Sequence, residues 1–157
     1  MPRLFVVRYT LWIVARDDEH EGCCNVNEIS ALPIVLVVDD NALNLELLKT
    51  FLGILGCGVL ALEDGADVTE TVKQHRPALV LLDIYMPGIS GFEAVRELKA
   101  DAGTRDVPVY AFTALDPTKL ADNRDMSLFS GVLRKPPNIG SLKRVLETVG
   151  ILPADCR

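Results

Sequence analysis

Five side chains in this sequence have types and spacings that chemistry can use: the adjacent pair Asp39 and Asp40, then Asp83, Thr113 and Lys135. Each stands just past a short apolar run. The pair follows Ile34 to Val38, Asp83 follows Ala78 to Leu82, Thr113 follows Val107 to Phe112, and Lys135 lies beyond Gly131 to Leu133. Taken singly, each has an ordinary structural reading. Aspartates after a strand start turns and cap helices, a threonine at a strand end satisfies its own backbone, and most lysines are solvated charges. Taken together, three carboxylates at one place repel one another, and a fold tolerates that only if a cation neutralises them. Oxygen-only ligands select a hard ion. A few carboxylates with room for water suit magnesium, which keeps several waters and binds phosphate oxygens. The chemistry expected of the set is therefore that of a phosphoryl group.

For these residues to meet, the elements that carry them must lie side by side. From Leu32 onward, apolar runs of strand length alternate with amphipathic stretches of helix length, separated by Gly, Pro, Asp and Asn. The alternation predicts an α/β fold with a parallel sheet covered on both faces. The strands are predicted at Ile34 to Val38, Gly58 to Leu62, Ala78 to Leu82, Val107 to Phe112 and Gly131 to Leu133. A first helix is capped by Asn41, carries the stripe Leu45, Leu48, Leu52 and Leu55, and stops at Gly56. A second is expected from Gly65 to His75. A third opens at "SGFE", where Ser90 and Glu93 have capping-box spacing, and should bury Phe92, Val95 and Leu98. Asp116 and Pro117 open a fourth. The fifth runs from Asn138 to Val149 with Leu142, Val145, Leu146 and Val149 inward, and Gly150 ends it. In such open sheets ligands sit outside the carboxyl ends of the strands, which is where all five candidate residues fall.

At these residues the sequence resembles the response-regulator receiver domain, or CheY-like family, over about Ile34 to Val149. The likeness rests on "DD", "LLDIYMPGISG", "FTA" and "KP", with intervals of 43 residues from Asp40 to Asp83, 30 to Thr113 and 22 to Lys135. The resemblance implies a flavodoxin-like (βα)5 three-layer sandwich with strand order 2-1-3-4-5. It implies that Asp83 is the phosphoacceptor and that Mg2+ is held directly by Asp40, Asp83 and the Tyr85 backbone carbonyl, and through water by Asp39. It also implies a cis Lys135–Pro136 bond, with Thr113 and Lys135 reaching the phosphoryl group. The donor would be the phosphohistidine of a histidine kinase or histidine phosphotransfer domain, docking near the first helix. A downstream protein target of unknown identity would read the fourth-helix side. Such a chain is a signalling phosphoacceptor that catalyses only its own phosphorylation and dephosphorylation. Two positions bear on the carry-over. Val132 stands three before the lysine, where the family usually has an aromatic that rotates with the threonine. Tyr85 stands where side chains in the family can shield the phosphoryl group from water.

Rival readings are a phosphohydrolase of haloacid-dehalogenase type, a cofactor-binding flavodoxin-like protein, and a degenerate receiver that binds partners without phosphorylation. The first expects a second Asp two residues after the nucleophile, where Tyr85 stands. The second expects a Gly-rich phosphate loop after the first strand, where "VVDDNALN" stands. The complete Asp, Thr and Lys set speaks against the third.

The 157 residues suffice for one ordinary core, and a formal net charge of −6 argues against direct nucleic-acid binding. Cys23, Cys24, Cys57 and Cys156 show neither zinc-site spacing nor a disulfide framework and read as reduced thiols of a cytoplasmic protein. Residues 32–152 are expected to form the receiver domain and 153–157 a tail, leaving output to binding. Residues 1–31 form an extension whose run "LFVVRYTLWIVA" is, at 12 residues, short of the roughly 20 that span a bilayer, and is interrupted by Arg8. It reads as a tail outside the fold, a packed accessory element, or a targeting segment, and no membrane association is expected.

Overall fold

The computed structural model describes residues 32–152. Expectations for residues 1–31 and 153–157, including Cys23, Cys24 and Cys156, lie outside the described residues. Five strands, β1 (Ile34–Val38), β2 (Gly58–Leu62), β3 (Leu79–Asp83), β4 (Val109–Thr113) and β5 (Gly131–Arg134), form one parallel sheet in the order 2-1-3-4-5. Helices α1 (Ala42–Ile54), α2 (Val68–His75), α3 (Gly91–Ala100), α4 (Pro117–Leu120) and α5 (Ile139–Thr148) connect and flank the strands. The three-layer α/β arrangement expected from the alternating pattern is the one observed.

Strand alternation divides the core in two. Val35, Val37, Leu79, Leu81, Tyr110, Phe112 and Leu133 face α1 and α5, where Leu45, Leu48, Leu52, Leu142 and Leu146 meet them. Leu36, Val38, Val80, Leu82, Val109 and Ala111 face α2 and α3, where Val68, Val72, Val95 and Leu98 meet them. Each fully buried Leu or Val contributes about 2 kcal/mol, so both faces are held by apolar burial.

Capping follows the sequence closely. The Asn41 side chain accepts from the Leu43 and Asn44 N–H groups, Ser90 and Glu93 complete a capping box, and Asn138 pairs with Ser141 in the same way. Gly56 (φ 79) and Gly150 (φ 76) take the left-handed backbone that ends α1 and α5.

Several boundaries differ from expectation for identifiable reasons. Helix α2 starts at Val68 and not at Gly65, because the Asp64 carboxylate accepts from the Ala66 N–H and holds the chain in a turn. Strand β3 begins at Leu79 and β4 at Val109, and both run one residue further than expected, so Asp83 and Thr113 are themselves the last strand residues. Strand β5 likewise runs on to Arg134. Helix α4 is a single turn: Asn123 recaps the chain, accepting from the Asp125 N–H, and a separate 3-10 segment follows over Arg124–Leu128. Phe92, Leu55 and Val149 are half-buried, the latter two because they are the residues that end their helices.

Candidate functional site

The carboxyl ends of β1, β3, β4 and β5 bring all five candidate residues to one edge of the sheet. Register does part of the work: Asp83 stands beside Phe112, Phe112 beside Leu133, and Thr113 beside Arg134. The Lys135 N–H then donates to the Thr113 carbonyl at 2.9 Å, tying the loop after β5 to the end of β4. The Lys135–Pro136 peptide bond is cis.

Asp39, with no exposed surface, is saturated with donors. Its Oδ1 accepts from the Asn41 N–H at 2.8 Å, and its Oδ2 accepts from Asn44 Nδ2 at 3.1 Å and pairs with Lys135 Nζ at 2.6 Å. Asp83, 3% exposed, accepts from the Tyr85 N–H at 3.2 Å on Oδ1 and pairs with the same Lys135 Nζ at 2.9 Å on Oδ2. One ammonium thus bridges two buried carboxylates, which satisfies the rule that a buried charge must be paired. Asp40 is exposed at the mouth of the site. Carboxylate oxygens of Asp39, Asp40 and Asp83 all lie within 4.8 Å of one another.

The electrostatics follow from this packing. Burial is the largest influence on Asp83 and pushes its carboxyl above the ordinary range, against the bond and charge of Lys135, which pull it down, and with the Asp39 charge, which also raises it. For Lys135, burial is again the largest single influence and would lower the ammonium. The combined hydrogen bonds and charges of Asp39 and Asp83 outweigh it and leave the group raised and firmly protonated. Two carboxylates and one ammonium form the buried floor, and Asp40 adds a third negative charge above it. The set carries a formal deficit of two positive charges.

Thr113 is 1% exposed, and its hydroxyl accepts from the Leu115 N–H at 3.1 Å. It shares the edge without bonding the carboxylates. Val132 packs partly buried against the α2 and α3 side of the core, and Tyr85 is 59% exposed beside the site.

Three contributors escaped the sequence reading. Asn44 donates its amide to Asp39, one turn into α1; the DxNxxN spacing of Asp39, Asn41 and Asn44 is the available signal. The ring of Phe112 lies under Lys135 Nζ, 4.8 Å from the centroid, although its position in a strand announces only packing. Gly91 opens α3 against the Asp83 backbone: a Cβ there would collide with the Asp83 carbonyl oxygen and sit 2.7 Å from Ile84 Cα. The second Gly of "PGISG" is therefore required by close approach, which sequence alone does not reveal.

The sequence and the fold are similar to those of known proteins. A family model described as the response regulator receiver domain matches residues 35–147. The polar-differentiation response regulator DivK of Brucella anthropi is 36% identical over 80 residues, covering 51% of this chain and 65% of DivK. Protein PilH of Pseudomonas aeruginosa is 40% identical over 82 residues, covering 52% of this chain and 68% of PilH. The chain therefore spans about two thirds of the length of these curated relatives. Among solved structures, the receiver domain of a sensor histidine kinase of Pseudomonas aeruginosa, with magnesium coordinated in its active site cleft, superposes with a TM-score of 0.71 at 29% identity, over 76% of this chain and 99% of that one. Chemotaxis protein CheY4 of Vibrio cholerae gives 0.68 at 26% identity, over 76% and 99%.

Proposed function

Because the chain belongs to the response regulator receiver domain family, we propose that it accepts a phosphoryl group on Asp83 from a phosphohistidine and changes partner as a result. The observation that carries this reading is the bridged floor: Lys135 held between Asp39 and Asp83, with Asp40 in reach above them. Mg2+ fits the donor set. All the donors are hard oxygens, the carboxylates of Asp39, Asp40 and Asp83 place oxygens within 4.8 Å of one another, and a divalent charge cancels the deficit of the site. Asp40, Asp83 and the Tyr85 carbonyl would hold the ion directly and Asp39 through water. When bound, it would neutralise charge on the phosphoryl oxygens.

The chain's own residues have distinct parts in the transfer. Asp83 attacks phosphorus in line, Lys135 turns its ammonium to an equatorial oxygen, and the buried floor excludes water behind them. Thr113 exchanges its Leu115 N–H partner for a phosphoryl oxygen, drawing in the loop that leads to α4. Tyr85, exposed beside the site, slows attack by water, so the phosphorylated chain decays more slowly than a phosphorylated Tyr85→Ala variant. The phosphohistidine belongs to a histidine kinase or phosphotransfer domain docking at the exposed start of α1, and a separate protein target reads the α4 side. We assign the protein to the cytoplasm, where such donors act; among the described residues no helix is long and apolar enough to cross a membrane.

Intact mass after incubation with acetyl phosphate, with and without magnesium and beside Asp83→Asn, tests the reading. One added phosphoryl group that requires magnesium and disappears in the variant supports it. No gain under any condition overturns it in favour of a receiver that binds partners without phosphorylation.

A further inference from the structure

Lys135 has three partners, and two of them change during phosphoryl transfer. Its ammonium pairs with Asp39 and Asp83 and lies over the Phe112 ring. In the transfer an Asp83 oxygen bonds phosphorus while the bond from phosphorus to the donor's leaving atom breaks, and the electron pair departs with the leaving group. Asp83 then no longer offers Lys135 a full carboxylate. Asp39 would share its charge with the divalent cation, through water, once that ion is bound. Only the ring presents the same face to the ammonium before and after.

The placement of that ring suits the task. Phe112 is fully buried, stands in register between Asp83 on β3 and Leu133 on β5, and shares the α1 and α5 face of the sheet with Leu133. The side chain of Lys135 retains only 16% exposure. An aromatic face attracts a cation within about 6 Å of its centroid, and more strongly where water is excluded. Lysine otherwise carries a compact charge on a flexible four-carbon stem, which a phosphoryl site must restrain.

The geometry points to Phe112 as the positioning residue of Lys135, a fixed aromatic platform that keeps the ammonium at the phosphoryl site while its carboxylate partners are withdrawn. This inference rests on the phosphoacceptor reading above, and it assigns Phe112 a role in the rate of transfer and not in metal binding.

The test replaces Phe112 in the full chain with mono-, di- and trifluorophenylalanine, which progressively remove negative charge from the ring face with little change of shape. The rate constant for phosphoryl gain from acetyl phosphate at saturating magnesium is expected to fall stepwise, reaching roughly tenfold for the trifluoro ring. Calorimetric Mg2+ affinity is expected to stay as in the unsubstituted chain, and melting temperature to fall only slightly as the attraction between ring and ammonium weakens. Equal transfer rates across the series, with folding intact, would overturn the assignment. A second readout does not depend on phosphorylation: ring current should shift the Lys135 ε-methylene proton signals upfield, and Phe112→Leu should abolish the shift. If the unsubstituted chain gains no phosphoryl group, the phosphoacceptor reading fails by itself. The ring-current shift then decides the contact, its presence supporting the platform and its absence overturning it.

Discussion

The two faces of the sheet solve different problems with different interactions. On the α1 and α5 side, Asp39, Asp83, Phe112 and Lys135 concentrate charge in a buried floor where every polar partner is specified. On the α2 and α3 side the elements beyond Thr113 are brief. Helix α4 has four residues and the 3-10 segment five, and the latter is held to α3 by the edge-to-face pair Phe92–Phe129 at 6.1 Å and the ion pair Arg96–Asp125 at 3.4 Å. The difference teaches where rigidity is needed. Phosphoryl chemistry needs groups fixed to a fraction of an ångström, whereas a response needs an element whose two arrangements differ by little free energy.

The largest effect expected is on the charged floor. Lys135→Met leaves Asp39 and Asp83 buried together without their shared cation, a loss of about 3–5 kcal/mol. Transfer from acetyl phosphate should slow on the order of a hundredfold. Urea unfolding without metal reads the first, and intact mass against time reads the second. Added magnesium should restore part of the stability and little of the rate. Gly91→Ala comes next: its Cβ must displace the Asp83 carbonyl, at a cost of about 1–3 kcal/mol, with a measurable loss of Mg2+ affinity by titration calorimetry. An alanine chain with unaltered metal affinity would show that the backbone behind Asp83 has slack.

On the other face, Phe129→Leu removes the edge contact with Phe92 and is expected to cost about 1 kcal/mol while leaving the acetyl phosphate rate unchanged. A slowed transfer would erase the division drawn between the faces. The smallest effect belongs to the tie between α2 and α3, where Lys73 Nζ meets Asp101 Oδ2 at 2.6 Å. The Lys73 bond first, and then the Gly103 N–H, hold the Asp101 carboxyl below its ordinary range. A lowered carboxyl stabilises the fold above its unfolded pKa, and that contribution disappears as pH falls through the folded value. Asp101→Asn should therefore lower the melting temperature slightly at neutral pH, with the gap closing in acid and narrowing in high salt.

Much of the molecule was legible in its residues. Alternating apolar runs and helix-length stripes specify five strands and the helices between them, because backbone hydrogen bonding and burial of one face act locally and periodically. The caps Asn41 and Ser90 were readable for the same reason. The short α4 was not, since Asp116 and Pro117 announce a start while the stop depends on Asn123 recapping the chain a few residues on. The late start of α2 likewise hinges on one local bond from Asp64.

The candidate residues could be listed from sequence because a carboxylate, a hydroxyl or an ammonium past a strand end is a chemical type at a countable position. How they share charge could not. Tertiary structure alone decided that Lys135 bridges Asp39 and Asp83 and leaves Asp40 open, that Phe112 lies beneath the ammonium, and that Gly91 must yield to the Asp83 carbonyl. The contacts of Lys135 with Asp39, Asp83 and Phe112 join chain segments tens of residues apart. Their distances follow from how two helical layers seat against a twisted sheet, a result of summed packing that no local stretch of sequence contains.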